Sequence, residues 1–291
     1  MKKLTAMMGT YPKTEPLKDG SISSPVVSLD FADISVAQKG FKAAVRDLEF
    51  DVTELALITF LLAYEAGKPY VLLPFVMNGG FHHKSILVRA DSGLEPRDLP
   101  GKTVAMRSYS QTTPTWVRGI LSDEYGVPAQ DLRCVTQEGA HVAEYRDPEF
   151  AVRSTSDKSL VQLLLDGEVD AIIAGSGVAD EPRIRTLIPE PKEAALAWHE
   201  RTGVVPINHM VAIRKQIADS EPEVVREVFR MLCASRPAPG TPDLQPAGFE
   251  NVGAALEMAV RFAFEQELIS KKYSVEELYG GVLDVLAPAA R

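Results

Sequence analysis

The sequence contains five histidines: His82, His83, His141, His199 and His209. Histidine is the side chain best suited to proton transfer near neutral pH. His82 and His83 are adjacent in an apolar stretch that we predict to be a strand. Alternation along a strand would place His82 and Lys84 on one face and His83 on the other. His209 follows a proline in a second strand-like stretch. His82, His83 and His209 are therefore the candidate acid–base residues, and the other two histidines are predicted to be structural.

A metal site is the alternative use of these histidines. His82, His83 and His209 could bind a divalent metal together with a carboxylate. The sequence has no tight ligand spacing such as His-x-x-x-His, however, and this favours a site without metal. Cys134 and Cys233 lie far apart in the sequence and are predicted to be small buried hydrophobic residues.

A second group of residues has the chemistry to hold carboxylates. Two segments, at 50–56 and 106–114, each run from a short strand into a predicted helix. Thr53 is the predicted N-cap of the first helix, and the second segment is a hydroxyl-rich turn with Pro114 near the start of its helix. Helix N-termini bind anions through their free N–H groups, so two of them across a cleft would form a clamp. Arginine adds a bidentate grip. The candidate binding residues are Thr53, Glu54, Lys84, Arg107, Ser108, Thr112, Thr113 and Arg118, with a solvated outer face as the alternative for Arg118.

Alternating strands and helices must position these residues. Strands are predicted over residues 4–8, 26–31, 70–76, 85–89, 103–106 and 171–174. Helices are predicted over residues 34–46, 53–66, 113–124, 159–165, 224–234 and 254–269. Such alternation is typical of an α/β fold with mainly parallel sheets.

Length, net charge and the N-terminal segment restrict the classes of protein to which this chain can belong. A chain of 291 residues exceeds the usual size of one core, so two lobes are expected. The net charge of -9 argues against binding to nucleic acid or to an anionic membrane surface. The N-terminus lacks the long apolar run of a signal peptide, and no segment approaches the length of a membrane span. We therefore expect a soluble, cytoplasmic protein.

Blocks spread over nearly the whole chain resemble one family, and they occur in the family's order. They are YPKTEPLKDG at 11–20, FDVTEL at 50–55, FHHKSI at 81–86, DLPGKTV at 98–104, WVRGIL at 116–121, DKSL at 157–160, DGEVDA at 166–171, RTGVVPINH at 201–209 and FEQELI at 264–269. The chain resembles the 4,5-dihydroxyphthalate decarboxylase family, a cytoplasmic branch of the type II periplasmic-binding-protein fold. His82 stands where the family pattern has Arg, and Lys84 where it has Ser, which points to a changed substrate.

The resemblance implies a two-lobed α/β fold with a ligand cleft between the lobes, each lobe a mixed, mainly parallel sheet flanked by helices. We predict lobe one as residues 1–88 plus 205–291 and lobe two as 89–204. It also implies a decarboxylase acting on a hydroxylated aromatic carboxylate, with no redox cofactor, because the phenol supplies the electrons. It favours His83 as the proton donor, His82 as a substrate contact and Tyr11 of the opening loop as a binding residue. Glu54 would either accept a phenol proton or stabilise a helix N-terminus.

Two other functions remain open at this point. A non-catalytic solute-binding protein of the same fold, a sensor or a transport component, would bind a small carboxylate without turnover. A different lyase or isomerase step on a carboxylated ring would use the same cleft. Fold alone does not decide among these functions. The oligomeric state is also left open, including a homo-oligomer.

Overall fold

The computed structural model describes residues 1–175 and 181–286, which contain two β-sheets flanked by helices. The strands are β1 (Lys2–Met7), β2 (Val27–Phe31), β3 (Val52–Ala56), β4 (Tyr70–Gly79), β5 (Ile86–Arg89), β6 (Thr103–Met106), β7 (Arg133–Thr136), β8 (Ala151–Arg153), β9 (Ala171–Ile173), β10 (Ile184–Thr186) and β11 (Ile207–Arg214). The helices are α1 (Glu15–Lys18), α2 (Leu57–Glu65), α3 (Thr112–Tyr125), α4 (Leu160–Leu165), α5 (Pro191–Thr202), α6 (Lys215–Ser220), α7 (Pro222–Ala234), α8 (Phe249–Glu265), α9 (Val275–Tyr279) and α10 (Gly281–Leu286).

Each sheet belongs to one lobe. The first has five strands in the order β2-β1-β3-β11-β4, and the second has six in the order β10-β5-β9-β6-β7-β8. Pairing is parallel along β2-β1-β3 and along β9-β6-β7-β8, whereas β11 and β5 run antiparallel to both of their neighbours. The predicted α/β fold with two mixed, largely parallel sheets is therefore confirmed.

The chain passes between the sheets twice. It leaves the first sheet after β4, enters the second at β5, and returns at β11. β5 begins at Ile86, so the second sheet starts before the predicted boundary at residue 89. The predicted lobe limits stay a prediction at the level of single residues, and the last five residues of lobe one, 287–291, lie outside the described part.

The helix predicted over residues 53–66 is wrong over its first four residues, which belong to β3. All five residues of Val52–Ala56 are buried, because the strand lies between β1 and β11 and both its faces are covered. A short strand of this kind has no period-2 pattern and reads like the start of the apolar helix that follows. Helix α2 therefore begins at Leu57 and not at Thr53.

Two other predicted elements differ in the structure. The predicted helix over 34–46 is a 3-10 turn at Ala37–Lys39 followed by a π-helical turn at Ala43–Asp47. His83–Ser85 form a 3-10 turn before β5, so the strand alternation expected for His82, His83 and Lys84 is wrong.

Helix α8 fastens the first lobe to the second. The aromatic ring of Phe262 packs directly over Gly119 of α3, where no side chain separates the two helices. Arg261 pairs with Asp123 at the exposed end of the same contact. This packing joins α8 to the C-terminal half of α3.

Candidate active site

Glu54, the middle residue of β3, is the centre of a buried hydrogen-bond cluster beside the loop that follows β1. Its side chain is fully buried, and its two oxygens accept hydrogen bonds from three groups. The backbone N–H of Gly9 donates to Oε2 at 2.9 Å, and the hydroxyl of Tyr11 donates to Oε1 at 2.9 Å. His209 Nδ1 lies 2.6 Å from the same Oε1. The loop after β1, the strand β3 and the strand β11 each contribute to this cluster.

The charge state of Glu54 follows from these partners. Burial by itself would raise the pKa of Glu54, but the hydrogen bond and charge of His209, together with the bonds from Gly9 and Tyr11, outweigh it and hold the pKa below its ordinary value. Glu54 is therefore a carboxylate at neutral pH and can only accept hydrogen bonds. His209 Nδ1 must carry the proton that bridges the pair.

This arrangement prepares His209 for proton exchange through its other nitrogen. A carboxylate on Nδ1–H fixes the tautomer and the ring orientation of a histidine. Within the described residues, Nε2 of His209 has no hydrogen-bond partner. Burial, and then the charge of Glu54, raise the pKa of Tyr11, so its hydroxyl stays protonated. Glu54 lies within β3 and its carboxylate is bonded to Gly9, Tyr11 and His209, so it does not serve the N-terminus of α2, which begins at Leu57. Its part in a binding site stays a prediction.

The second lobe closes on the N-terminus of α2. The Ile58 N–H donates to Thr112 Oγ1 at 3.2 Å, so the capping hydroxyl comes from α3 and not from Thr53. Thr53 is buried within β3, where its hydroxyl donates to the backbone oxygen of Glu54. Thr112 therefore joins α3 to α2, and its part in substrate binding stays a prediction. Thr53 is not an N-cap.

His141 also reaches this interface from the second lobe. Its Nδ1 shares a hydrogen bond of 2.9 Å with Thr59 Oγ1, one residue further along α2. The ring of Phe41 lies edge-on to both His141 and His209, with centroid distances of 5.4 and 5.3 Å. Burial lowers the pKa of His141 to about 4, so its ring is neutral at neutral pH. A hydrogen-bonded ring packed on Phe41 agrees with the structural role predicted for His141, but no local pattern in the sequence marks its place at this interface.

The segment after β6 holds three more predicted binding residues, one exposed and two at least half-buried. Arg107 is exposed, and its guanidinium donates to the equally exposed Glu138 at 3.1 Å. Ser108 is buried, and its hydroxyl lies 3.0 Å from that of Ser110. Thr113 is half-buried in the first turn of α3. Arg107 is the member of this group whose charge can still meet an incoming anion.

Arg118 does not bind a substrate carboxylate. Its side chain is fully buried, with Nε donating to Gln266 Oε1 at 2.7 Å and a terminal nitrogen donating to the backbone oxygen of Tyr109 at 2.8 Å. The guanidinium also stacks on the Tyr109 ring at 3.9 Å. Both the predicted carboxylate grip and the solvated outer face are therefore wrong, since Arg118 connects α3 to the residue after α8.

His82 and His83 lie apart from the Glu54 cluster. His82 is buried and bonds through Nε2 to Asn208 Oδ1 at 2.7 Å. His83 is buried edge-on against Trp198 of α5, 5.8 Å between centroids, and no bond joins it to Glu54 or His209 in residues 1–175 and 181–286. Burial lowers the pKa of both histidines to about 4, so both are neutral at neutral pH. Lys84 is exposed beside them.

Two further observations concern the described residues as a whole. In that part of the chain, no group of three or more His, Cys, Asp or Glu side chains is arranged to hold a metal ion. His82, His83 and His209 do not come together as such a group in the described residues, and a site that needs neither metal nor cofactor stays a prediction. None of the described helices is long and apolar enough to span a membrane.

Comparison with known proteins identifies the family. A family model described as an ABC transporter, phosphonate, periplasmic substrate-binding protein matches residues 34–257. Two relatives are named 4,5-dihydroxyphthalate decarboxylase. The one from Comamonas testosteroni is 32% identical over 76% of this chain and 70% of its own, and the one from Pseudomonas putida is 28% identical over 67% and 81%.

The solved structures agree on the fold. The periplasmic aliphatic sulphonate binding protein SsuA from Escherichia coli superposes with a TM-score of 0.62 and 14% identity, covering 96% of this chain and 92% of its own. An identity this low shows the fold alone. The extent of the family match and the identity to the Comamonas protein show more: the chain belongs to the 4,5-dihydroxyphthalate decarboxylase family and has the periplasmic-binding-protein fold.

Proposed function

We propose that this protein is a cofactor-independent decarboxylase of a hydroxylated aromatic carboxylate such as 4,5-dihydroxyphthalate. The observation that carries the proposal is the buried pair of Glu54 and His209, joined at 2.6 Å, beside the loop that follows the carboxyl end of β1. In α/β proteins, ligands bind outside the carboxyl ends of the strands. The names of the two relatives support the substrate class.

The reaction needs one proton and no external electrons. A proton adds to the ring carbon that bears the carboxylate, and a ring hydroxyl ortho or para to it donates electron density. The bond between the ring and the carboxylate then breaks, its electron pair restores the aromatic ring, and carbon dioxide leaves. The protein must therefore supply an acid at the ring carbon, an acceptor or polarising group for the phenol, and cationic or N–H groups for the carboxylates.

We assign the proton transfer to His209. The Glu54 carboxylate holds Nδ1–H, which leaves Nε2 to deliver a proton to the ring carbon or to take one from the phenol. Delivery of a proton from Nε2 starts from the imidazolium, which is protonated on both nitrogens, and leaves a neutral imidazole that keeps its proton on Nδ1. A proton from solvent then restores the imidazolium. Tyr11, kept protonated, is a donor for a ring oxygen. Arg107 is the candidate for pairing with a substrate carboxylate.

This assignment replaces His83 as the proton donor. A histidine with a pKa of about 4 is neutral near pH 7, and a neutral imidazole is too weak an acid to protonate a ring carbon. The same argument applies to His82. Both lie at the crossing of the chain between the lobes, and neither bonds to Glu54 or His209 in the described residues, so replacing them should leave the chemical step little changed.

The test is turnover on a panel of hydroxylated benzoates and phthalates that includes 4,5-dihydroxyphthalate, followed as carbon dioxide release. General acid–base catalysis contributes about 10²–10⁴-fold, so His209→Gln should lower kcat on that scale. His83→Gln should keep kcat within about threefold of the wild type, as should the matched control His199→Gln. A large loss in His83→Gln with little loss in His209→Gln would reverse the assignment and refute it.

A non-catalytic solute-binding protein is the second candidate. It is favoured by the description of the matching family model, which names a substrate-binding protein of a transporter. Under this function the panel would raise the melting temperature in proportion to the logarithm of ligand concentration without release of carbon dioxide. Turnover of any panel member removes this candidate.

A further inference from the structure

A large apolar groove lies beside the crossing of the chain between the lobes. It has a volume of about 900 Å³ and is lined by residues of three segments, 80–84, 191–196 and 236–245. The segments come from the link between β4 and β5, from α5 of the second lobe, and from the loop after α7 of the first lobe. We call it the hinge groove. Neither Glu54 nor His209 is among the described residues that line it.

The walls of the hinge groove expose hydrophobic side chains from both lobes. Leu196 of α5 and Leu244 of the loop after α7 are each 40% exposed, and they are two of the few large hydrophobic residues exposed in the described chain. Phe81 and Pro237 extend the same apolar surface. An apolar concavity with a small number of polar groups is the usual form of a small-molecule site.

The charged groups of the groove favour an anion. Its acidic side chain, Asp243, already pairs with Arg236 at 2.6 Å. Lys84 and Lys192 also line the groove, and within the described residues neither forms an ion pair. In a protein with a net charge of -9, this is a local surplus of positive charge.

One buried polar group points to a ligand independently of the surface charge. His83 is 2% exposed and lines the groove, and its Nδ1 has no hydrogen-bond partner in the part of the chain that the structure describes. Buried polar atoms are rarely left without a partner in folded proteins. The ring therefore has hydrogen-bonding capacity left for a group that enters beside the apolar walls.

We propose that the hinge groove is a second ligand site that binds an apolar monocarboxylate, with the hydrocarbon body between Leu196 and Leu244 and the carboxylate near Lys84 and Lys192. This ligand differs from a polyhydroxylated dicarboxylate, whose hydroxyls the apolar walls would leave without partners. Because the walls come from both lobes, the bound molecule bridges them and stabilises one relative orientation.

Calorimetric titration with 4-tert-butylbenzoate tests the site, and the neutral 4-tert-butylbenzamide is the matched ligand. We expect saturable binding of the carboxylate and binding of the amide that is weaker by roughly tenfold or more. Loss of part of the apolar contact in Leu196→Asp should weaken carboxylate binding by roughly tenfold, as should the double change Lys84→Glu and Lys192→Glu. The control Lys39→Glu, on an exposed turn outside the groove, should bind within about twofold of the wild type.

The variant His209→Gln separates this site from the candidate active site. Groove binding should be unchanged in it, since His209 does not line the groove. No saturable binding, equal binding of acid and amide, insensitivity to the groove variants or loss of binding in His209→Gln would each overturn the proposal. So would a wild-type dimer that Leu196→Asp converts to a monomer in sedimentation, because a second copy would then cover the groove. Binding is read without turnover, so a failure of the proposed decarboxylation leaves this result interpretable.

Discussion

Replacing Glu54 by glutamine removes the charge of the buried cluster with almost no change of volume. The amide oxygen can keep the bond from Gly9 N–H, which places the amide NH2 where Oε1 receives Tyr11 and His209. The tyrosine hydroxyl can rotate to accept from this NH2. His209 can accept only with a bare Nδ1, which moves its proton to Nε2. The protein is therefore expected to fold with His209 in the opposite tautomer.

The cost in stability follows from the three bonds. A hydrogen bond to a charged group contributes about 1.5–3 kcal/mol and a neutral one about 0.5–1.5, so each bond loses about 1 kcal/mol. The sum of about 3 kcal/mol is an upper limit, because the glutamine also removes the desolvation cost of a buried carboxylate. We expect the free energy of unfolding at pH 7 to fall by about 1–3 kcal/mol.

The pH dependence carries a definite sign. The pKa of Glu54 is lower in the folded protein than its ordinary value of 4.5, so its stabilising contribution is complete above that value. The contribution disappears as the pH falls through the lowered pKa. Urea denaturation should therefore show the full difference between Glu54→Gln and the wild type at pH 7 and a shrinking difference below about pH 4.5. The matched control is Glu149→Gln at an exposed position, which should leave the free energy of unfolding at pH 7 within about 0.5 kcal/mol of the wild type.

Activity and the histidine tautomer complete the test. If Glu54 orients the proton-transferring ring, Glu54→Gln should lower kcat by about 10²–10⁴-fold, with a smaller change in KM. Nitrogen NMR of the labelled histidines should show His209 protonated at Nε2 in the variant. Turnover within about threefold of the wild type, or an unchanged His209 tautomer, would refute the reasoning.

Three further predictions concern stability. Arg118→Leu should lower the free energy of unfolding in urea by about 1–3 kcal/mol, because it leaves the buried Gln266 oxygen without its donor. A loss below about 0.5 kcal/mol would contradict this role. Burial lowers the pKa of Lys13 to about 8, so the unfolded chain binds the proton more tightly, and the wild type should gain stability relative to Lys13→Met as the pH rises from 8 to 10; a falling difference would contradict the sign. Gly119→Ala should lower the melting temperature by several degrees, because the added methyl group would collide with Phe262, whereas the open Gly253→Ala should not.

The fold class, the start of α3 and the family could be predicted from local sequence. The alternation of apolar runs and helical stretches gave the α/β class, since strand and helix periods are written into short segments. Thr112 was expected at the start of α3, and it does lie there, because a hydroxyl-rich turn before a proline is a strong helix signal. The resemblance of scattered blocks indicated the family, and the relatives confirm it.

The roles of individual side chains were less predictable. The sequence marks Glu54 as a candidate, but its helix explanation fails because β3 is buried on both faces and shows no strand period. Arg118 lies in a motif that resembles the family, yet the sequence does not show its partners. Gln266 is 148 positions away in the chain, and Tyr109 precedes α3 and reaches Arg118 only because the chain folds back. His141 offers no local pattern at all.

The sequence by itself determined which segments could be strands and helices, because backbone preference and hydrophobic period act over a few residues. The tertiary structure alone decided which histidine meets a carboxylate. His209 and Glu54 are 155 positions apart in the chain and meet because β11 returns from the second lobe to lie antiparallel to β3. His83, beside an equally suggestive motif, is carried instead against Trp198, since one 3-10 turn before β5 redirects its side chain. Charge, burial and pKa depend on such distant contacts, and so does the chemistry that follows from them.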